Sequence, residues 1–215
     1  MGVTTGIELI QAVEYVLSDE YGADYDKRWT RPELLQWLND GQRDIVVKVP
    51  LANARIVIIQ LVAGPQQQLS AAYHRILGPV CNMGVAGGTY GAPITTVSLQ
   101  TLSDMDSTWL SVTASAIVKH VIPAETLRDF FVYPPVAVGG TYIKLQLSKV
   151  PSTMTNNTDA IEIEEAYATA LKYFMLQMAF SKDADMNPTA SRAAMFGGLY
   201  LQALGVAPPG GGGGG

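Results

Sequence analysis

The side chains best equipped for chemistry in this sequence are few: Cys81, His74, His120, the aspartates of Ser103-Asp104-Met105-Asp106-Ser107, and Glu162, Glu164 and Glu165. A nucleophilic cysteine needs a base beside it. Cys81 sits in the apolar run Val80-Cys81-Asn82-Met83, seven residues from His74 along one arm of an expected hairpin, and reads better as a small hydrophobe. Both histidines fall in strand-like stretches, where a half-exposed structural role outweighs that of general base or metal ligand. Asp104 and Asp106 could offer oxygens to calcium, but with no further carboxylate nearby an Asx-type turn is the better reading. Paired carboxylates serve glycoside hydrolysis, yet the three glutamates open a helical stretch, where acids complement the positive end of the dipole.

Glycine-rich and aromatic stretches fare no better. Gly84-Val-Ala-Gly-Gly-Thr-Tyr-Gly91 has no lysine and leads to Pro93 and another strand, so it reads as a turn rather than the Gly-Lys-Ser/Thr phosphate cradle that opens a helix. No serine lies in a Gly-x-Ser-x-Gly elbow. Asn156-Asn157-Thr158 matches a glycosylation sequon, which has meaning only in a secretory pathway. Phe130, Phe131, Tyr133 and Tyr142 could form a sugar-stacking platform, but packing inside a β-sandwich is the better reading. No catalytic, cofactor-binding or metal-ligating residue is expected, no cofactor either, and the chain is not expected to be an enzyme.

The elements that would position such residues change period along the chain. Thr5 and Glu8 have capping-box spacing, followed by Ile10, Val13 and Leu17 at helical intervals. Thr30, Pro32 and Glu33 predict a second helix start, with Leu34, Leu38, Ile45 and Val49 on one face and Leu35 and Val46 widening it. Asp44 and Lys48 form an i,i+4 pair. Gly41 in mid-helix costs about 1 kcal/mol against alanine, which implies close approach of another backbone, and Pro50 ends the helix. From residue 54 the period becomes two. Strands are expected at 54–61, 73–83, 94–99, 116–122, 128–135 and 141–148, separated by turn chemistry in AGPQQQ, NMGVAGGTYGAP, SDMDS and VGGT. In the last strand Ile143, Leu145 and Leu147 share one face, and Tyr142, Lys144, Gln146 and Ser148 the other. Helical period returns with Tyr167, Leu171, Phe174 and Met178 beside Ala170 and Met175. A further helix follows, with Asn187-Pro188 at its start, a stripe of Ala193, Phe196, Tyr200 and Leu204, and Gly205 at C′.

The expected fold is α+β: a helical bundle from N- and C-terminal helices with an inserted antiparallel β-sandwich or barrel-like domain. Residues 1–52 and 159–205 form the bundle, 53–158 the insert, and 206–215 an extended Pro/Gly tail. Bulk composition narrows the function. Apolar residues make up 48% of the 215 and charged residues 15%, below the usual quarter. That shortfall points to surface covered by other subunits, with glycine and alanine content as the other explanation. Fourteen basic against 19 acidic residues give a net charge of −5, the wrong sign for a nucleic-acid binder. One cysteine excludes a disulfide framework and fits a reducing compartment. No secretory signal and no membrane span are expected.

Three stretches carry a family resemblance. Trp29-Thr30-Arg-Pro-Glu-Leu-Leu-Gln-Trp-Leu-Asn-Asp-Gly-Gln-Arg-Asp-Ile-Val46, the run from Arg128 to Pro151 with its double proline, and the run from Glu164 to Phe196 with Ser-Lys-Asp-Ala occur in order and cover somewhat over a third of the chain. Together they resemble the head-to-tail adaptor, or neck, proteins of short-tailed bacteriophages. The resemblance implies a structural virion protein, assembled in the host cytoplasm and placed in the neck. Its copies, twelve in that family, form a ring beneath the portal protein, contact tail, nozzle or tail-fibre proteins, and leave a lumen that DNA traverses without specific binding. It also implies that the bundle faces the portal and neighbouring copies, and that a C-terminal arm along the portal would give the glycine tail an environment. Residues 84–115 match nothing in it. Candidate interface residues are Trp29, Trp37, Gly41, Arg43, Lys182 and Asp183; for the tryptophans, burial within the protomer is an equal alternative. Twelve copies at −5 each carry −60, and acids facing a channel would keep the DNA backbone from sticking. The competing expectation is a β-sandwich module that binds carbohydrate or protein on a helical stalk.

Overall fold

The computed structural model describes residues 4–18, 28–84, 88–137, 140–182 and 187–206. The chain is mixed α+β and divides into two compact units, one made of Met1–Ala52 with Pro151–Gly215 and the other of Asn53–Val150.

The first unit contains helices α1 (Gly6–Leu17) and α2 (Arg31–Lys48), and from the C-terminal segment two more described below. At the start of α1 the Glu8 carboxylate accepts from the Thr5 N–H at 2.7 Å and the Thr5 hydroxyl at 2.9 Å, so an orphan donor of the first turn is satisfied. α2 begins after an extended Thr30 with Pro32 in its first turn, but the expected reach-back of Glu33 does not form. Glu33 instead pairs with Lys182 at 2.9 Å, a charged partner that outcompetes a neutral amide.

The second unit is built on two four-stranded sheets. Its strands are β1 (Ala54–Gln60), β2 (Gly64–Gln68), β3 (Tyr73–Met83), β4 (Tyr90–Pro93), β5 (Thr95–Thr96), β6 (His120–Pro123), β7 (Asp129–Val136) and β8 (Tyr142–Lys149), with helix α3 (Leu99–Met105) between β5 and β6. One sheet has the order β1-β8-β3-β4, the other β2-β7-β6-β5. Ile143, Leu145 and Leu147 of β8 alternate inward as expected and meet Val121, Phe130 and Val132 of the other sheet in one core. Full burial of such side chains contributes roughly 1.5–3 kcal/mol each. A smaller cluster, Leu102, Trp109 and Ile122 with Phe131 and Tyr133, includes residues of α3 and of β6 and β7.

Four expectations are corrected. AGPQQQ is not only a turn: it forms β2, because the buried Gln67 side chain bonds both the N–H and the C=O of Val62 at 2.8 Å. The expected strand 94–99 shortens to β5 and passes into α3, where Ser98 Oγ accepts from the Thr101 N–H at 3.0 Å as an N-cap. β5 pairs with β6 in parallel, so the second sheet is not wholly antiparallel. Ser148, expected on the outer face of β8, is fully buried and its hydroxyl has no hydrogen-bond partner. The double proline of β7 fits because Pro134 and Pro135 lie past its last pairing with β6 at Tyr133, and opposite the register shift in β2. There the ladder requires no donor.

The C-terminal segment returns to the first unit as helices α4 (Ala168–Ser181) and α5 (Asn187–Ala203). Ile10 and Val13 of α1, Leu34, Leu38 and Ile45 of α2, and Leu171, Met175 and Ala179 of α4 share its core with Tyr200 and Leu204. Phe180 stacks on Phe196 at 5.5 Å and Phe174 meets Tyr200 edge-on at 5.4 Å, coupling α4 to α5. Gly205 adopts φ +69°, the left-handed C′ conformation expected from its position. The run Pro151–Ile163 packs with these helices, Met154 and Ile161 entering their core.

Candidate functional site

Most of the residues suited to chemistry are tied to structural tasks. Cys81 is buried and lies 3.7 Å from Met83 Sδ. His120 Nδ1 is 2.7 Å from Thr95 Oγ1 and its ring stacks on Tyr133. Burial holds both imidazoles below their usual value of 6.5, and Arg75 beside His74 and Lys119 beside His120 push the same way. Asp106 caps an Asx turn by accepting from the Thr108 N–H and hydroxyl, which holds its carboxyl low, while Asp104 accepts from Gln100. The three glutamates diverge: Glu162 accepts from the Ser152 N–H, the Glu164 N–H bonds Ala52 O, and Glu165 accepts from the Thr4 hydroxyl. Phe130 points into the core while Phe131 meets Trp109 edge-on from the opposite face of β7, so the aromatics form no single platform. No group of three or more His, Cys, Asp or Glu among the described residues could hold a metal ion.

What the structure does assemble is a polar clasp on α2. Asn39 Nδ2 donates to Met154 O at 3.0 Å while its Oδ1 accepts from the Met154 N–H at 2.8 Å. One turn on, Gln42 Oε1 accepts from the Glu162 N–H at 2.8 Å and its Nε2 donates to Met154 Sδ. Arg43 bonds the Thr153 hydroxyl and lies 3.7 Å from Asp40. The amide side chains stand in for a neighbouring strand, so both backbone groups of Met154 and the N–H of Glu162 are satisfied where Pro151–Ile163 passes along α2.

The candidate interface residues separate accordingly. Trp29 and Trp37 are 9% and 8% exposed and belong to the core, the burial alternative; Trp29 Nε1–H donates to Ala179 O at 3.1 Å. Gly41 does permit a close approach, but of side chains rather than backbone: an added Cβ would lie 2.5 Å from Leu171 Cδ1 and 2.8 Å from Phe174 Cδ1. Arg43 and Lys182 remain at the surface, Lys182 bonding Glu33 and Arg28 O. Asp183 lies outside the described residues, as does the tail from 207. Sequence reasoning missed the buried amides, which no periodicity marks, and it missed the exposed side chains of β1. The latter had a signal: Ile56-Val57-Ile58-Ile59 is apolar in both phases of a strand, where a half-buried strand alternates.

Residues 4–211, nearly the whole chain, match the family model described as SU10 adaptor protein. The chain belongs to the SU10 adaptor family. It is thus a bacteriophage head-to-tail adaptor, a structural protein of the virion, and that family is not one of enzymes. No curated protein matches the adaptor. All three stretches that carried the resemblance fall inside the matched range. In the adaptor no helix among the described residues is long and apolar enough to cross a membrane.

Proposed function

We propose that the adaptor docks as a ring of twelve copies on the portal, joins it to the tail or nozzle proteins, and forms part of the channel through which DNA leaves the capsid. Family membership over residues 4–211 carries this reading. In it, the helices of 1–52 and 159–205 act as one bundle with a β-sandwich inserted between them, the whole sits in the virion neck, and assembly occurs in the host cytoplasm. The division of the chain at Ala52 and Val150 supports that architecture.

Charge supports the channel. Residues 1–52 and 151–215 carry eight basic and fifteen acidic residues, a net −7, while 53–150 carry six basic and four acidic, a net +2. Part of the helical excess faces the lumen, where like charge keeps the DNA backbone moving. Arg43, Lys182 and Asp183, with the face of α2 that carries Arg43, contribute to contacts with the portal or a neighbouring copy, and the terminal arm runs along the portal. Mixing the purified chain with the portal ring of its own phage and imaging by electron microscopy tests this. An added ring at the tail-facing end is expected. A bare portal beside a monomeric chain would overturn the proposal, and a neutral or basic lumen would overturn the channel assignment.

A further inference from the structure

The four edges of the two sheets are not alike. β5 has two residues; β4 has four, with Pro93 and a register shift; β2 has five, with Pro65, a left-handed Gly64 and a register shift. Short length, proline and irregular register are the devices that keep an exposed edge from recruiting another strand. β1 has none of them. Its seven residues pair with β8 in unbroken register from Ala54–Ser148 to Gln60–Tyr142, and no strand among the described residues pairs its other side. Its sequence, ARIVIIQ, contains neither proline nor lysine, and Ile56 and Ile58 are 63% and 40% exposed.

The backbone of that edge is also open. Leu61 N–H bonds Thr141 O at 2.8 Å. Alternation in an antiparallel ladder then turns the N–H and C=O of residues 55, 57 and 59 towards β8 and those of Ile56, Ile58 and Gln60 away from it. Two of the three residues that turn their backbone groups away from β8, Ile56 and Ile58, also expose apolar side chains. Charge indicates what covers them. The strands of this sheet contain Arg55, Arg75, Lys144 and Lys149 and no acid, so they carry +4 while the rest of the chain carries −9. An occupant that supplies a strand, apolar side chains and acidic surroundings is another copy of this chain. DNA offers the charge alone.

We propose that the open edge of β1 is a contact between neighbouring copies, an extended segment of one copy adding to β1 of the next. This rests on the ring reading, and because a closed ring uses unlike faces, β1 meets a segment other than β1. Amide hydrogen exchange on the full chain, alone and assembled on the portal ring, tests it. Exchange at Ile56, Ile58 and Gln60 should slow at least tenfold on assembly, with little change at Arg55, Val57 and Ile59. The double variant Ile56→Lys/Ile58→Lys should keep the thermal midpoint of the monomer yet lose ring assembly tenfold or more. Unchanged exchange at the three amides in an assembled ring, or rings formed normally by the double variant, would overturn the edge contact and leave the adaptor reading standing. A wild-type chain that never assembles would overturn both. Ile58→Cys copies joining to each other as two-fold dimers would overturn the unlike pairing, since Cys81 is buried and the introduced thiol is the reporter. Protection of the same amides by a short DNA duplex without the portal would also overturn it.

Discussion

Buried carboxamides at positions 39, 67 and 82 repeat one device. Asn39 holds both backbone groups of Met154, Gln67 both of Val62, and Asn82 both of Val118, the last at 2.7 and 2.8 Å. Each satisfies both backbone groups of a residue that belongs to no strand or helix; Met154 and Val118 are buried, Val62 exposed. Replacing Asn39 or Asn82 with leucine keeps the branched heavy-atom skeleton but strands a buried donor and acceptor, a penalty of about 1–3 kcal/mol per group. A loss of about 2–4 kcal/mol is expected for each variant by urea titration, and a loss below about 1 kcal/mol would contradict the role. These residues were illegible in the sequence because an isolated Asn or Gln carries no periodic signal and reads by default as surface. The two histidines act at the same scale. Their folded values lie below 6.5, so their contribution to stability is complete above the unfolded value near 6.5 and is lost as pH falls through the folded values. The urea midpoint should therefore drop between pH 7.5 and 5, and less so in a His74→Gln/His120→Gln variant.

Among the elements, long periodic segments were the legible ones. α2 and its stripe, β3, and the alternation of β8 follow the sequence closely. β2, β4 and α3 did not announce themselves, since all three are short and depend on tertiary partners: Gln67 for β2, pairing with β3 for β4, and burial of Leu102 for α3. Two glycines separate packing from propensity within helices. At Gly41 of α2 a methyl group would overlap Leu171 and Phe174, whereas at Gly198 of α5 it would meet nothing within 4 Å. Gly198→Ala should stabilise the monomer by about 0.5–1 kcal/mol through helix propensity. Gly41→Ala gains the same propensity but incurs overpacking of about 1–3 kcal/mol, so a net loss near 1 kcal/mol is expected in the same denaturation assay. Equal effects at the two sites would show that α4 yields freely to α2.

At the scale of the whole molecule, the order helices, strands, helices was legible because the period switches twice, near residue 54 and again before α4. Which side of β1 stays unpaired was not, because periodicity describes one strand and says nothing of its neighbours in the sheet. The sheet unit has its own core of eleven buried hydrophobic residues, which predicts that residues 53–150 expressed alone give a dispersed NMR spectrum and a cooperative melt. A collapsed, non-cooperative product would show that the helical unit is needed. Asn53 Nδ2 donates to Lys149 O at 3.0 Å and Ala54 faces Ser148, so the unit's first and last residues lie side by side. For the helices this amounts to a closed staple. Bringing the ends of a flexible 98-residue loop together costs about 4 kcal/mol in chain entropy. A sheet unit that folds first removes that cost before α1 and α2 meet α4, turning the most distant pairing along the chain into a nearly local one.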